Sequence, residues 1–457
     1  MNFSPQSVKT FRFTKYEFDT LTGLLKLHYA FDNEWFFTEE MVFLGIERPL
    51  PPLKKQALDR VFHHLHLVAG ISYYKAALPQ KLSIETKPIN EKTANFLNDL
   101  YFHGLGEFAY QNNLDLRGRI KFPFINQDIN NTQPHYPLSR QTIVPIGGGK
   151  DSIVTIEALR HANEPFRLFS VGNPRIIQNV ATISGFPHIS IQRRISPQLL
   201  DLNKKGAFNG HVPISAIIAY ILAASAILYG FDTVVMSNER SANVGNLSKD
   251  GIEINHQYSK SLQFEKDVGE QFVNLLPGFR YFSLLRPLSE LEITRLFSHF
   301  KNYHPIFSSC NRNFTHASSN NVHGNWCLDC PKCRFVFLAL APFVEKQHLL
   351  QIFGKNLLND KNQQDGFDGL IGYHAHKPFE CVGETEESLV AFYLLTLKKE
   401  WQKDILVQRF QQVILPRIRH PKYLLKTIFE NSQHHEIPHE FERALAKFRQ
   451  YYHYQGN

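Results

Sequence analysis

Short apolar runs alternate with longer segments of helical periodicity between residues 141 and 238. The runs predict buried β-strands, because they are rich in Val, Ile and Phe, and the segments between them repeat apolar residues at three- and four-residue spacing. Such alternation is typical of an α/β protein with a doubly wound parallel sheet and right-handed crossovers. The predicted strands are residues 142–146, 167–171, 188–193 and 233–238, and the predicted helices are residues 150–162, 175–185 and 212–230.

Ligands of a doubly wound sheet bind beyond the carboxyl ends of the strands, near the point where the strand order reverses. This rule places three loops around one predicted crevice. They are residues 147–152, 170–173 and 237–241.

Residues 212–231 carry no charged side chain, and their length equals that of a membrane span. Their alanines and serines, and the strand-like run that follows, favour a helix buried between a sheet and another layer. We therefore expect no membrane association. The amino-terminal residues lack an apolar signal-peptide core, so a cytoplasmic protein is expected.

The pattern differs on either side of this region. Residues 8–46 form short strand-like runs, and residues 53–69 and 92–112 have helical periodicity. Three domains are predicted: an N-terminal α+β domain of unassigned role (1–140), the α/β domain (141–345) and a mostly helical C-terminal region that contributes to the active site (346–457). Residues 397–412 are predicted to be a solvated amphipathic helix. The oligomeric state is not predictable from these patterns.

Composition is that of a folded protein with more than one domain: 457 residues, 43% hydrophobic and 20% charged. The formal net charge of +8 and the isoelectric point near 9.0 favour an anionic partner. No dense basic block is present, so an acidic metabolite and a nucleic acid both remain admissible.

The first predicted strand runs into a glycine turn and then a helix, with the sequence Val-Pro-Ile-Gly-Gly-Gly-Lys-Asp-Ser over residues 144–152. Backbone N–H groups at a helix N-terminus favour an anion, and glycines let a phosphate approach closely. The spacing fits neither a Walker loop nor a dinucleotide-binding loop. A glycine turn without a ligand is the alternative. The candidate phosphate-binding residues are Gly147, Gly148, Gly149, Lys150, Asp151 and Ser152, with Ser170 on the neighbouring loop.

Four of the five cysteines, Cys310, Cys327, Cys330 and Cys333, follow the spacing Cys-x16-Cys-x2-Cys-x2-Cys. Four thiolates can close a tetrahedral zinc site, whose role would be structural because no coordination position stays open. An iron–sulfur cluster and plain buried or disulfide-forming cysteines are the alternatives.

The glycine loop resembles the PP-loop of ATP pyrophosphatases, Ser-Gly-Gly-x-Asp-Ser, with Gly147 in place of the leading serine. A PP-loop followed by such cysteines also looks like the 7-cyano-7-deazaguanine synthase branch, although the first cysteine spacing is longer here. Residues 237–243, 255–261 and 377–383, together with the loop, resemble the MurL-type UDP-N-acetylmuramoyl-L-alanyl-L-glutamate epimerases over residues 141–401. The resemblance implies a PP-loop fold of the adenine nucleotide alpha hydrolase-like type.

The resemblance also implies a reaction. ATP would transfer AMP to the α-carboxylate of the terminal L-glutamate, and this would neutralise the carboxylate charge and acidify the α-hydrogen. A base and an acid on opposite faces would then invert the carbon. Asp151 could hold Mg²⁺, and Lys150 could add a phosphate donor or be a solvated lysine at the helix start. The partner would be an anionic UDP-sugar peptide, and no nucleic acid is expected.

The sequence offers several acid/base candidates. Cys381 is the cysteine outside the metal pattern, and cationic neighbours such as Lys377 or a histidine (His374, His376) could lower its pKa. A small buried apolar cysteine is the alternative. The predicted catalytic residues are Cys381, Glu239, Arg240 and Asp151, and the predicted substrate-binding residues are Asn238, His256, Tyr258, Lys260 and Lys377. A rim ion pair for Glu239 with Arg240, and an exposed hairpin for residues 256–260, remain open.

Two other classes of function compete with the epimerase. A PP-loop enzyme that adenylates another substrate, or that modifies tRNA or a nucleoside, would use the positive charge on an RNA backbone. No RNA-binding appendage is evident in the sequence. A non-catalytic nucleotide-binding regulator would be expected to have lost loop residues, and Gly148 to Ser152 are intact.

Overall fold

A computed structural model of the chain describes residues 3–126, 136–310, 312, 325–373 and 377–455. The strands, in chain order, are β1 (Thr10–Asp19), β2 (Leu24–Phe31), β3 (Trp35–Val42), β4 (Lys81–Ile84), β5 (Thr142–Pro145), β6 (Phe166–Val171), β7 (His188–Arg194), β8 (Thr233–Met236), β9 (Leu247–Lys249), β10 (Ile252–Ile254) and β11 (Arg280–Ser283). The helices are α1 (Pro52–Ala69), α2 (Ile71–Tyr74), α3 (Glu91–Gly104), α4 (Gly106–Gln111), α5 (Lys150–His161), α6 (Arg175–Ser184), α7 (Pro197–Lys204), α8 (Ile214–Tyr229), α9 (Leu262–Leu275), α10 (Glu290–Phe297), α11 (Pro331–Leu340), α12 (Lys346–Phe353), α13 (Gln364–Leu370), α14 (Thr385–Thr396), α15 (Ile405–Arg409), α16 (Pro421–Phe429) and α17 (His439–Gln455).

The main sheet is nine-stranded and mostly parallel, with the order β11-β8-β5-β6-β7-β3-β2-β1-β4. Strands β11, β8, β5, β6 and β7 run parallel to one another. The chain leaves β5 towards β6 and β7, then crosses back to β8 and β11, so the strand order reverses between β5 and β8. The four predicted strands and their helices are confirmed, and β11 is a further parallel strand that the prediction missed.

The N-terminal strands continue this sheet and do not form a second one. β3 pairs antiparallel with β7, with Met41 opposite Arg193. Arg193 and Glu39 form an ion pair of 2.7 Å at this junction, with the Glu39 side chain fully buried and that of Arg193 9% exposed. β7 would otherwise present an unpaired edge, which the antiparallel β1–β3 segment covers. Residues on both sides of the predicted boundary at residue 140 therefore contribute strands to one sheet. The domain limits stay a prediction.

Two apolar cores lie on the two faces of the sheet. Because successive strand side chains point to opposite faces, Ile143 and Val234 pack on one face and Val144 and Val235 on the other. The first core includes α8, which packs against α1 and is buried along most of its length. The prediction of a buried helix is confirmed. In the part of the chain that the structure describes, no helix has the length and apolar character that a membrane crossing needs.

The C-terminal region is helical and packs into the second core, with α14 against α11 and α16. The predicted helix over residues 397–412 is wrong, because α14 ends at Thr396 and α15 begins only at Ile405. Trp401 in the intervening turns is fully buried, and Asp404 accepts two hydrogen bonds of 2.7 Å from Lys346.

Candidate functional site

The glycine loop follows β5 at the point where the strand order reverses. Gly148 has φ +85°, and a Cβ there would meet the Cγ2 of Ile176 at 2.3 Å, so only glycine fits. A Cβ on Gly147 would meet no described atom within 4 Å, which leaves space on that side of the loop. Helix α5 begins directly after Gly149, which as N-cap has no side chain to accept its first N–H groups. The loop therefore presents unpaired donors to a ligand.

Lys150 is buried, with its side chain 2% exposed, and it forms ion pairs with Asp151 and Glu290. Burial alone would lower its pKa, but the two carboxylates raise it, and the ammonium stays charged. The alternative of a solvated lysine at the helix start is wrong. Asp151 remains partly accessible at the start of α5, with 31% of its side chain exposed.

Two further acidic side chains lie behind this pair. Glu290 begins α10, just after β11, and burial together with the charge of Asp151 raises its pKa. Glu387 in α14 accepts backbone hydrogen bonds of 2.7 Å from Glu290 and from Glu384. Burial raises the pKa of Glu387 to about 7. The C-terminal region thus fixes the start of α10 and, with it, the partner of Lys150.

Glu239 follows β8, on the other side of the point where the strand order reverses. Its side chain is buried, and burial raises its pKa, while the nearby charge of Lys260 opposes the shift. The negative charges of Asp151 and Cys381 raise it further. Glu239 is therefore a buried carboxyl group that retains a proton more readily than an exposed one.

Cys381 lies within 3.4 Å of the amine of Lys260, measured from Sγ to Nζ. Burial alone would raise the pKa of the thiol, but the charges of Lys260, Lys332 and His256 lower it well below its ordinary value. The three cations come from different parts of the chain, and Lys332 is the residue before Cys333. The predicted cationic surroundings exist, although they are supplied mainly by these residues and not by Lys377. The histidines His374 and His376 lie outside the described residues.

His256 connects the thiol to the N-terminal region. Its Nδ1 contacts Glu107 of α4, and His211 approaches the same carboxylate, with 3.6 Å between Nδ1 and Oε2. Burial would lower the pKa of His256, but hydrogen bonding to Cys381 and Glu107 raises it to about 9. Burial lowers the pKa of His211 to about 3. One of the two imidazoles is therefore cationic at neutral pH and the other neutral.

Other predicted site residues have mainly intramolecular partners. The amide of Asn238 donates to Ser283 at 3.0 Å, and the guanidinium of Arg240 donates to the carbonyl of Glu430 at 3.1 Å. Ser170 donates to the carbonyl of Gly172 at 2.7 Å, and the ring of Tyr258 stacks on His103. Lys377 is half-buried. Ligand contacts for these side chains stay predictions.

The four cysteines of the predicted metal site come together. All four sulfur atoms lie within 4.8 Å of one another. The Sγ of Cys333 is 3.5 Å from that of Cys330 and 3.7 Å from that of Cys327. The backbone N–H of Cys333 also donates to the sulfur of Cys330 at 3.4 Å, at the start of α11. Sulfur atoms at the corners of a tetrahedron with bonds of about 2.3 Å would be about 3.8 Å apart, so the set fits zinc.

The sequence did not identify Glu107, Glu290, Lys332 or Glu387 as site residues. A signal existed for Glu290. The aromatic residues Tyr281 and Phe282 indicate a strand, and Ser-Glu-Leu-Glu at residues 289–292 is a helix-capping pattern. Ser289 indeed caps α10 by accepting from Glu292 at 3.1 Å. Glu107 offered no such signal, since it lies far away in sequence and reaches the site only through the fold.

Comparison with known proteins adds an independent observation. Residues 2–284 match the family model described as the MurL N-terminal domain, and residues 306–422 match that of the MurL C-terminal domain. A protein of Xanthomonas oryzae pv. oryzae (strain MAFF 311018), named UDP-N-acetyl-alpha-D-muramoyl-L-alanyl-L-glutamate epimerase, is 42% identical over 98% of this chain and 99% of its own. Proteins with the same name from Salinispora tropica and Micromonospora sp. are 41% identical over 86% of each chain, and 40% identical over 96% of this chain and 98% of the relative.

Proposed function

The chain belongs to the MurL family, and from this premise we propose that it is an ATP-dependent epimerase of the PP-loop type. Its substrate would be UDP-N-acetylmuramoyl-L-alanyl-L-glutamate, a peptidoglycan precursor, and its product the D-glutamate isomer. The observation that carries the proposal is the pairing of a thiol and a carboxyl group, Cys381 and Glu239, around one cation beside the glycine loop. Their pKa values shift in opposite directions, as an acid/base pair requires.

Activation of the carboxylate answers the main chemical difficulty. Removing the α-proton of glutamate next to a charged carboxylate would place a second negative charge on the same group. Attack of that carboxylate on the α-phosphorus of ATP forms an acyl-phosphate bond and releases pyrophosphate, so the charge is removed before the proton is. Hydrolysis of the acyl-phosphate bond then returns the free acid and AMP.

The glycine loop would hold the phosphates through the N–H groups at the start of α5. The ammonium of Lys150 forms ion pairs with Asp151 and Glu290, which take two of its three N–H donors. We assign it to fixing Asp151 at the mouth of the loop. Asp151, with its partly exposed carboxylate, offers the kind of oxygen ligand that Mg²⁺ prefers, and Mg²⁺ would neutralise phosphate charge there.

Inversion needs one group that takes the proton and one that returns a proton from the opposite face. The lowered pKa of Cys381 keeps a thiolate available as a base at neutral pH, and the raised pKa of Glu239 keeps a proton available as an acid. Lys260, whose pKa is raised by the negative charge of Cys381, lies close enough to both groups to bind the activated carbonyl oxygen between them.

The four-cysteine set would hold structural zinc. The sulfur separations of 3.5 and 3.7 Å support this assignment, and the ligand set leaves no open position for substrate. The role of zinc would be to order residues 325–333 and to begin α11, which carries Lys332 towards Cys381.

The test is to supply purified protein with Mg²⁺, ATP and UDP-N-acetylmuramoyl-L-alanyl-L-glutamate. We expect AMP, pyrophosphate and the D-glutamate isomer, with solvent deuterium at the α-carbon when the reaction runs in deuterated water. Omission of ATP is the control and should stop inversion. Release of AMP with wholly L-configured glutamate would instead indicate a PP-loop enzyme that activates a carboxylate for another acceptor.

A further inference from the structure

The N-terminal region contributes a side chain to the thiol site. Helix α4 is short, and it begins after Leu105 where α3 ends, so that Glu107 lies in its first turn. Glu107 is buried, with 6% of the residue exposed, although it is a carboxylate. A buried carboxylate is costly unless it is paired. One oxygen of Glu107 accepts from the side-chain amide of Gln111 at 2.8 Å, and the other contacts the imidazoles of His211 and His256.

His256 is held by its backbone as well as by its ring. Its N–H donates to the amide oxygen of Asn246 at 2.9 Å, and that residue also donates to the carbonyl of Pro378 at 2.9 Å. Asn246 therefore ties the histidine segment to the segment that carries Cys381. With Nδ1 turned to Glu107, His256 lies close enough to Cys381 for its charge to lower the pKa of the thiol, and Cys381 in turn raises the pKa of the imidazole.

Several charged groups face Cys381, and their effects on the thiol must be distinguished from one another. Lys260 and Lys332 are cations on two different elements, and Glu239 and Glu380 are acidic groups of the crevice and of the same loop. His256 differs from the lysines because its charge depends on a carboxylate partner. The titratable groups that interact with His256 are Cys381, Glu107, Glu380 and His211.

We propose that Glu107 is a positioning residue for the reaction: it orients His256 and holds it in the imidazolium form, and His256 in turn stabilises the thiolate of Cys381. This proposal rests on the proposed function for the identity of the reaction, but not for the existence of the relay. It reassigns His256 from substrate binding to support of the base. It also gives residues 1–140 a role in the active site through a single helix.

The test uses the full-length protein without ATP or substrate. Alkylation of Cys381 by iodoacetamide is followed against pH, with the modified residue located by peptide mass spectrometry. In Glu107→Gln and His256→Gln, the midpoint of the pH profile should move upwards by about one pH unit, because a positive charge near the thiolate is lost or discharged. Glu107→Asp keeps a carboxylate, so its midpoint should lie closer to that of the wild type than the midpoint of Glu107→Gln does. His211→Gln is the matched control, since His211 is neutral and should leave the midpoint in place.

The same measurements can also contradict the proposed relay. An unchanged midpoint in folded Glu107→Gln and His256→Gln protein would overturn the relay, even if either variant melts at a lower temperature, because a purely structural role moves stability and not thiol ionisation. A second zinc ion per chain, in addition to the one at the four cysteines, would also overturn the relay if Glu107→Gln lost it. His256 would then bind metal and could not serve the thiol. Should Glu107→Gln fail to fold, Glu107→Asp and His256→Gln decide the matter. Loss of epimerase activity with an unshifted midpoint would count against the relay alone and leave the proposed function intact.

Discussion

Ser308 donates its backbone N–H to the carbonyl of Gly148 at 3.1 Å, so the segment that leads into the cysteine site rests directly on the glycine loop. A Cβ on Gly149 would meet the hydroxyl of Ser309 at 2.9 Å, which shows how closely the two segments pack. Cys310 follows one residue later. The metal site and the loop are therefore expected to depend on each other, although their residues are far apart in sequence.

The first prediction follows from this contact. Cys330→Ser should remove bound zinc and lower the free energy of unfolding by at least about 3 kcal/mol, because a structural zinc contributes folding energy. It should also weaken ATP binding, since the segment that supports Gly148 would lose its anchor. Metal analysis, thermal unfolding and ATP titration measure the three effects. Cys381→Ser is the control and should retain zinc; absence of zinc and iron in freshly purified wild-type protein would contradict the assignment.

The second prediction concerns Asp151. Asp151→Asn keeps the size of the side chain but removes one of the two negative charges on Lys150 and the proposed Mg²⁺ ligand. We expect AMP formation to fall by about a hundredfold or more, with a smaller effect on folding. Asp201→Asn on the exposed surface of α7 is the matched control and should be neutral. Full AMP formation in Asp151→Asn would remove this residue from the phosphate site.

The parallel part of the fold was predictable because it depends on local patterns. Residues 142–238 alternate buried strands with periodic helices, and the glycine loop stands between two such elements. The rule that ligands bind where strand order reverses then predicts that Gly147 and Glu239 lie around one crevice. In the structure Gly147 follows β5 and Glu239 follows β8, the two strands that flank the reversal.

What could not be predicted depends on long-range packing. The pairing of β3 with β7 joins residues that are about 150 positions apart, and no local pattern encodes it. Glu107 and His256, which are in contact, are separated by a similar number of residues in the sequence. The turns at residues 397–404 broke a helical pattern because Trp401 is buried by the tertiary structure, which overrides local periodicity.

The third prediction concerns stability at acidic pH. His66 is buried, and its Nε2–H donates to the carbonyl of His28 at 2.9 Å. Burial lowers its pKa to about 4 from 6.5. Between these two pH values the unfolded chain binds a proton that the folded chain does not, so stability must fall as the pH drops from 6.5 towards 4. The contribution of His66 is about 3 kcal/mol at the lower end.

Denaturant unfolding between pH 4 and 7 measures this effect. His66→Gln should be less stable at neutral pH because a packed ring is lost, yet its stability should fall less steeply with acid than that of the wild type. His439→Gln is the control, because the side chain of His439 is 76% exposed. Parallel slopes for wild type and His66→Gln would show that His66 is protonated in the folded protein as easily as in the unfolded one.

The last prediction separates the two proposed acid/base groups. In a two-base inversion each group serves one isomer, so a variant that lacks one group should still exchange the α-hydrogen of the isomer that the remaining group serves. Cys381→Ser and Glu239→Gln should therefore both lose inversion by about a hundredfold or more. In deuterated water with ATP, each variant should place deuterium into only one of the L and D isomers, and the two variants should be complementary.

Because activation precedes proton removal, both should still release AMP, and Glu40→Gln on β3 serves as a neutral control. If both variants exchanged the same isomer, Cys381 and Glu239 would act on one face of the carbon, and the returning acid would have to be sought elsewhere in the crevice, with Lys260 as the next residue to replace.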